Sequence, residues 1–119
     1  MKQTIEGIYT IYLSAIEGES FAIVILHDSL INGADTEGTI FDGKYIFDSI
    51  TGITSGIITV KVPSNVKTIQ GVSTGSTGIS YDVTIALPKD FLERSYIRAE
   101  TLYGPVNMRF VLLRRLESS

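Results

Sequence analysis

The strongest constraint in the sequence is the stretch Tyr81 to Leu87, Tyr-Asp-Val-Thr-Ile-Ala-Leu, in which Tyr81, Val83, Ile85 and Leu87 alternate with Asp82, Thr84 and Ala86. A period of two belongs to a strand with one buried face, because successive side chains on extended backbone point to opposite sides. A second run, Val106 to Arg115, sets Met108, Phe110 and Leu112 on one side and Val111 and Leu113 on the other. Both sides ask for cover, as expected of a strand that closes a sheet rather than one hanging at its edge.

The rest of the chain supplies partners for these two runs. Thr4 to Leu13 alternates Ile5, Gly7, Tyr9, Ile11 and Leu13 against Glu6, Ile8, Thr10 and Tyr12 and reads as a half-buried strand. Phe21 to Leu26 is apolar at every position. A run that short, bounded by turn residues, reads as a strand covered on both faces. One face then lines the core, and a second copy of the chain is the expected cover for the other, with Ala22, Val24 and Leu26 as the dimer patch.

Further along, His27-Asp28-Ser29 reads as a tight turn, and Leu30-Ile31 as a short strand stopped by Asn32-Gly33, a pair that readily takes positive φ. Gly38 to Phe47 gathers Phe41, Tyr45 and Phe47 on one face, with Gly43 where a bend or a close contact is expected. Gly56 to Val62 is a further strand, ended by Pro63. Val66 to Gln70 reads as a turn of helix and Gly71 to Ser80 has the composition of a mobile loop. Pro88 opens a possible single helical turn, and Tyr96 to Thr101 is a weaker strand. These spacings predict an all-β antiparallel barrel or sandwich of about eight strands, with at most one or two short helical turns.

A chain of 119 residues is expected to form a single domain, 1–119. It has no cysteine, which removes disulfides and thiolate metal sites and fits a reducing compartment. A net charge of −3 with scattered Lys and Arg argues against nucleic acid as a partner, since phosphate binding depends on clustered cations. No apolar run approaches the roughly 20 residues of a membrane-spanning helix, and the N-terminus lacks the apolar stretch of a secretory leader. A soluble, cytoplasmic protein without a membrane partner is the expectation.

Chemistry is sparse. The one histidine, His27, cannot build a multi-histidine metal site, and no cofactor is expected. His27-Asp28-Ser29 superficially suggests a catalytic triad, but neighbours along a turn diverge, whereas triad side chains converge through the fold. A surface hairpin turn and no enzyme activity are therefore expected. Asp35, Glu37 and Asp42 put three carboxylates within eight residues, without the alternating ligand spacing of an EF-hand loop. They read as a solvated loop, or as a docking patch for a basic partner. Gly71 to Gly78 lacks the Lys-Ser/Thr pair of a phosphate-binding loop and reads as a connection. Tyr9 with Arg114-Arg115 has two readings: an arginine laid across the ring to seal the barrel end, or a core tyrosine beside solvated arginines.

Taken together, Gly7-Ile8-Tyr9, the apolar second strand, Asn32-Gly33-Ala34-Asp35, Phe41-Asp42-Gly43-Lys44-Tyr45, Gly56-Ile-Ile-Thr-Val-Lys-Val and Met108-Arg-Phe-Val-Leu-Leu-Arg-Arg resemble the GrlR-like family, negative regulators of type III secretion gene expression. The resemblance runs from about Ile5 to Leu116. It implies a calycin- or lipocalin-like, eight-stranded antiparallel up-and-down β-barrel, usually dimeric, with an apolar interior. It also implies a regulator that binds a transcriptional activator through an exposed run of alternating Glu and Asp. This chain departs there: Asp35-Thr36-Glu37 is sparser than that run, and Gly33-Ala34-Asp35 stands where many members carry Gly-Gly-Asp. Two functions are therefore expected. The first is regulation of a transcriptional regulator protein, with Asp35, Glu37 and Asp42 facing the partner. The alternative is carriage or sensing of a small apolar molecule in a cavity lined by Tyr9, Phe41, Tyr45, Tyr81, Ile85 and Phe110.

Overall fold

The computed structural model describes residues 5–116, and Thr4, expected to begin the first strand, lies outside them. The elements are β1 (Gly7–Ala15), β2 (Gly18–His27), β3 (Leu30–Asp35), β4 (Ile40–Phe47), β5 (Thr54–Val62), β6 (Ile79–Leu87), a 3₁₀ turn (Phe91–Glu93), β7 (Ile97–Ala99) and β8 (Val106–Arg115). All strand pairings are antiparallel, in the order β6-β5-β4-β3-β2-β1-β8-β7. The sheet curls into a nearly closed up-and-down barrel of eight strands, with Phe91–Glu93 the helical turn expected after Pro88.

β1 pairs with β8 from Gly7↔Arg115 to Ser14↔Asn107, yet these are not the ends of the sheet. The ends are β6 and β7, which share no ladder. β7 is only three residues long, so side chains close this seam instead. The rings of Tyr81 and Tyr103 meet edge to face across it with centroids 5.1 Å apart, a favourable geometry for the ring quadrupoles.

Register decides which residues point inward. Tyr9 stands opposite Val24 and Ile11 opposite Ala22, and residues directly opposite on paired strands share a face. Ala22, Val24 and Leu26 are therefore buried in the barrel interior and do not form the outward dimer patch expected of them. The outward face of β2 carries Phe21, Ile23 and Ile25, which stay 38–44 % exposed. A uniformly apolar strand has no intrinsic phase, so only its pairing with β1 could set this. Asn32-Gly33 also differs from expectation: it lies within β3, opposite Asp42 and Phe41. The positive φ falls earlier, at Asp28 (50°) and Ser29 (65°), in the β2–β3 turn. Gly33 is needed for close approach, since a Cβ there would lie 2.7 Å from Val24 Cγ2. Gly43 matches its expectation, for a Cβ there would collide with the main-chain oxygen of Ile57.

At the end of the barrel near the β2–β3 turn, Tyr9, Phe91 and Phe110 form a buried aromatic cluster with centroids 5.3–6.2 Å apart. Tyr9 is fully buried, and its hydroxyl donates to Ile5 O and accepts from the Arg115 side chain. Arg115 thus reaches the tyrosine by a hydrogen bond. The cation–π contact lies elsewhere, with Arg109 4.5 Å over the Tyr12 ring on the outer face. Replacing Tyr9 with Ala is expected to cost about 3–5 kcal/mol in urea unfolding, the range for a large aromatic lost from a packed core. Tyr9→Phe, which keeps the ring and loses only the hydroxyl contacts, should cost about 1 kcal/mol; equal losses for the two variants would contradict the packing role.

Candidate functional site: an apolar cavity under a folded cap

The aromatic cluster fills one end of the barrel, and the opposite half is left incompletely filled. Inward residues there are mostly short or β-branched, among them Ala22, Val24, Val60, Val83 and Ala99. They leave a cavity of about 140 Å³, bounded by all the strands from β1 to β8. Phe41, Tyr81, Ile85 and Phe110 line it as expected from the sequence. Tyr9 and Tyr45 do not: both sit at the filled end, where Tyr9 packs on Phe91 and Phe110, and Tyr45 lies beside the β2–β3 turn with its main-chain N–H donating to Ser29 O. Strand alternation shows which residues face inward, but depth along the barrel depends on the stagger of the strands.

The mouth of the cavity is covered by the segment between β5 and β6. It contains no turn of helix and has its own hydrogen-bonded framework. Asn65 N–H donates to Gly75 O, Thr74 N–H to Val66 O, and Thr68 N–H to Val72 O, with an isolated bridge between Lys67 and Ser73. The Thr74 hydroxyl is buried, donating to Pro63 O and accepting from Val66 N–H. Gly71, Gly75 and Gly78 all take positive φ, so the glycines that suggested mobility are the ones the tight turns require. Val66 and Ile69 turn down onto the core, and Glu17 N–H donates to Ile69 O at 2.8 Å. Val66 and Ile69, apolar residues three apart within a polar, glycine-rich connection, were the available sequence signal for a cap.

Ser20, Thr39 and Thr68 lie singly on the lining, and a linked group of polar side chains interrupts the apolar wall at the β6–β7 seam. Gln70 Nε2 donates to the Tyr81 hydroxyl and to Thr101 Oγ1, at 3.4 Å in both cases. Those distances are at the long limit for a hydrogen bond. Thr101 is otherwise well satisfied, donating to Gly104 O at 2.6 Å and accepting from Tyr103 N–H. Tyr81 has no acceptor for its own hydroxyl hydrogen among the described residues. The charged residues on the cavity lining are Asp35, Glu37 and Lys67, all at its mouth.

The three carboxylates expected to share a loop are separated by the fold. Asp35 ends β3, and its Oδ1 accepts the N–H groups of Glu37 (2.8 Å) and Thr39 (2.9 Å), shaping the β3–β4 turn. Glu37 is exposed beside it, whereas Asp42 lies within β4 with Lys61 Nζ 3.6 Å away. At the other end of the molecule His27 does lie in the expected β2–β3 hairpin. Its Nδ1 is 3.1 Å from Glu6 Oε2 and its Nε2 3.2 Å from Asp28 Oδ2, while Asp28 N–H donates to the same Glu6 oxygen. Glu6, His27 and Asp28 could together hold one cation, their donor atoms lying within 4.8 Å of one another. Only one imidazole nitrogen could face that ion, so the arrangement as it stands is a histidine held between two carboxylates that braces a turn with two non-glycine residues at positive φ.

No family model, curated protein or solved structure matches the chain. Among the described residues no helix is long and apolar enough to cross a membrane.

Burial raises the hydroxyl pKa of Tyr9, Tyr45 and Tyr81 above the ordinary 10.0; Arg115 opposes the shift at Tyr9, a Ser29 main-chain hydrogen bond at Tyr45 and Gln70 at Tyr81. The folded chain therefore holds these protons more tightly than the unfolded chain. Their contribution to stability is complete below the unfolded value and lost as pH rises from there through the raised folded values. The urea midpoint is expected to show no loss from these groups up to about pH 9 and to fall above about pH 10. Tyr81→Phe should make that fall shallower, and an unchanged alkaline limb would contradict the assignment for this residue.

Proposed function

We propose that the protein is a non-enzymatic binding module whose barrel takes a small apolar molecule beneath the cap. The observation that carries this reading is the cavity of about 140 Å³ inside a barrel whose other end is tightly packed. An apolar cavity of roughly 150 Å³ is enough to bind one benzene ring. It is smaller than the roughly 300 Å³ and upward typical of sites for larger ligands, so the ligand, or the part of it that enters, is of single-ring or short-chain size. The cavity supplies no convergent nucleophile, base and oxyanion donors, which favours holding over transforming.

A second reading, a regulator that works by pairing with another protein, is favoured by the outward side of β1 and β2. There Tyr12 stacks beside Phe21 with ring centroids 6.4 Å apart, next to exposed Ile23 and Ile25. This would also be the surface for a homodimer. The GrlR-like resemblance supports such a role, including binding of a transcriptional regulator in the cytoplasm, with Asp35 and Glu37 together on the β3–β4 turn as its acidic feature.

Toluene titrated into methyl-labelled protein should shift the methyl signals of Val24, Ile85 and Met108 saturably. Val83→Phe, which fills the cavity, should abolish the shifts while the chain still unfolds cooperatively. Linear, unsaturable shifts would refute the cavity reading. For the second reading, Ile23→Asp should convert a dimer to a monomer in light scattering, and a wild-type chain that is monomeric at about 0.1 mM would remove the homodimer.

A further inference from the structure

Resting on the cavity reading, we infer that the ligand carries a single uncharged hydrogen-bond acceptor, a carbonyl above all, which takes the hydroxyl hydrogen of Tyr81. The wall of the cavity is mostly apolar, with Ser20, Thr39 and Thr68 as separate polar residues on it, and its one linked group of polar side chains is at the β6–β7 seam, where Gln70, Tyr81 and Thr101 meet. A few fixed polar groups in an apolar pocket determine which way a ligand lies. Of the three, Thr101 is committed to Gly104 O, and Gln70 points its amide N–H groups toward the other two over 3.4 Å. Tyr81 has the unused donor. A hydroxyl offers one hydrogen and two acceptor lone pairs, and here Gln70 occupies one lone pair while the hydrogen remains for a ligand.

The same lining excludes an anionic head group. A carboxylate drawn into an apolar cavity needs a paired cation. Lys67 is the one cation on the lining; it is exposed at the mouth and shares that mouth with Asp35 and Glu37, so the local balance is one positive charge against two negative. A fatty-acid-like ligand would meet net repulsion on entry and a neutral donor inside. A ketone, ester or lactone meets neither obstacle, and its carbonyl oxygen is a better partner for Tyr81 than any group the described residues supply.

The test compares three probes of one ring each, acetophenone, ethylbenzene and benzoate, against wild type and Tyr81→Phe by methyl-detected NMR titration. Tyr81→Phe keeps the ring that packs on Tyr103, and thermal unfolding checks that the barrel remains intact. The variant should bind acetophenone about three- to tenfold more weakly, the loss of one hydrogen bond, and ethylbenzene with unchanged affinity. Benzoate should bind wild type far more weakly than acetophenone. Equal weakening of acetophenone and ethylbenzene, no weakening of either, or benzoate binding as well as acetophenone would overturn the inference while leaving the cavity as a binding site. Failure of all three probes to bind wild type would overturn the cavity reading and this inference with it.

Discussion

Tyr9 is the residue on which the two halves of the barrel meet. Its strand lies inside the sheet, with β2 on one side and β8, nearly a hundred residues later in sequence, on the other. Its ring is sealed between Phe91 and Phe110, and its hydroxyl is tied to Ile5 and Arg115. Each aromatic pair contributes roughly 0.5–1.5 kcal/mol beyond the area it buries. The greater consequence is geometric: β1 cannot slip by one residue without turning Tyr9 out to solvent and the outward set Ile8, Thr10 and Tyr12 inward. That single register fixes the inward faces of β2 and β8.

From this packed end the filling of the barrel thins. The interlocked rings give way to a lining in which valines and alanines stand among Phe41, Tyr81 and Phe110, and the interior ends in a cavity under a separately hydrogen-bonded cap. The polarity is reversed relative to a pore: the lumen is apolar and the charges are at the rim. The tightly packed core and the cavity thus lie at opposite ends. The filled end is held by interlocking rings, while the cap is attached to the β1–β2 turn by the Glu17–Ile69 hydrogen bond and the apolar contacts beneath it. Segments joined to the body by few contacts are those that open locally at low cost.

The seam between β6 and β7 is where the barrel departs from a fully hydrogen-bonded cylinder, and Gln70, Tyr81 and Thr101 of the cavity wall gather there. Side chains replace a missing ladder with a ring pair and an amide bridge. A gap in backbone pairing brings hydrogen-bonding side chains to the edge of an otherwise apolar lumen. The carboxylates that attracted attention in the sequence have more modest structural duties, Asp35 shaping a turn and Asp42 lying beside Lys61.

The period-two alternation of Tyr81–Leu87, the breaks at glycine and proline and the run Val106–Arg115 were sufficient to read an all-β antiparallel fold of eight strands, because alternation is a local property that each segment carries alone. Four of the six cavity residues were legible for the same reason. What only the tertiary structure decided was phase, depth and closure. Phe21–Leu26 is apolar on both faces, so its inward set became Ala22, Val24 and Leu26 only through pairing with β1. Tyr9 and Tyr45 alternate correctly yet fall below the cavity, because strand stagger is set by partners and not by the strand. The cap and the Gln70–Tyr81–Thr101 group join residues from separate elements, and no local pattern in the chain records a meeting that exists only once the sheet has curled.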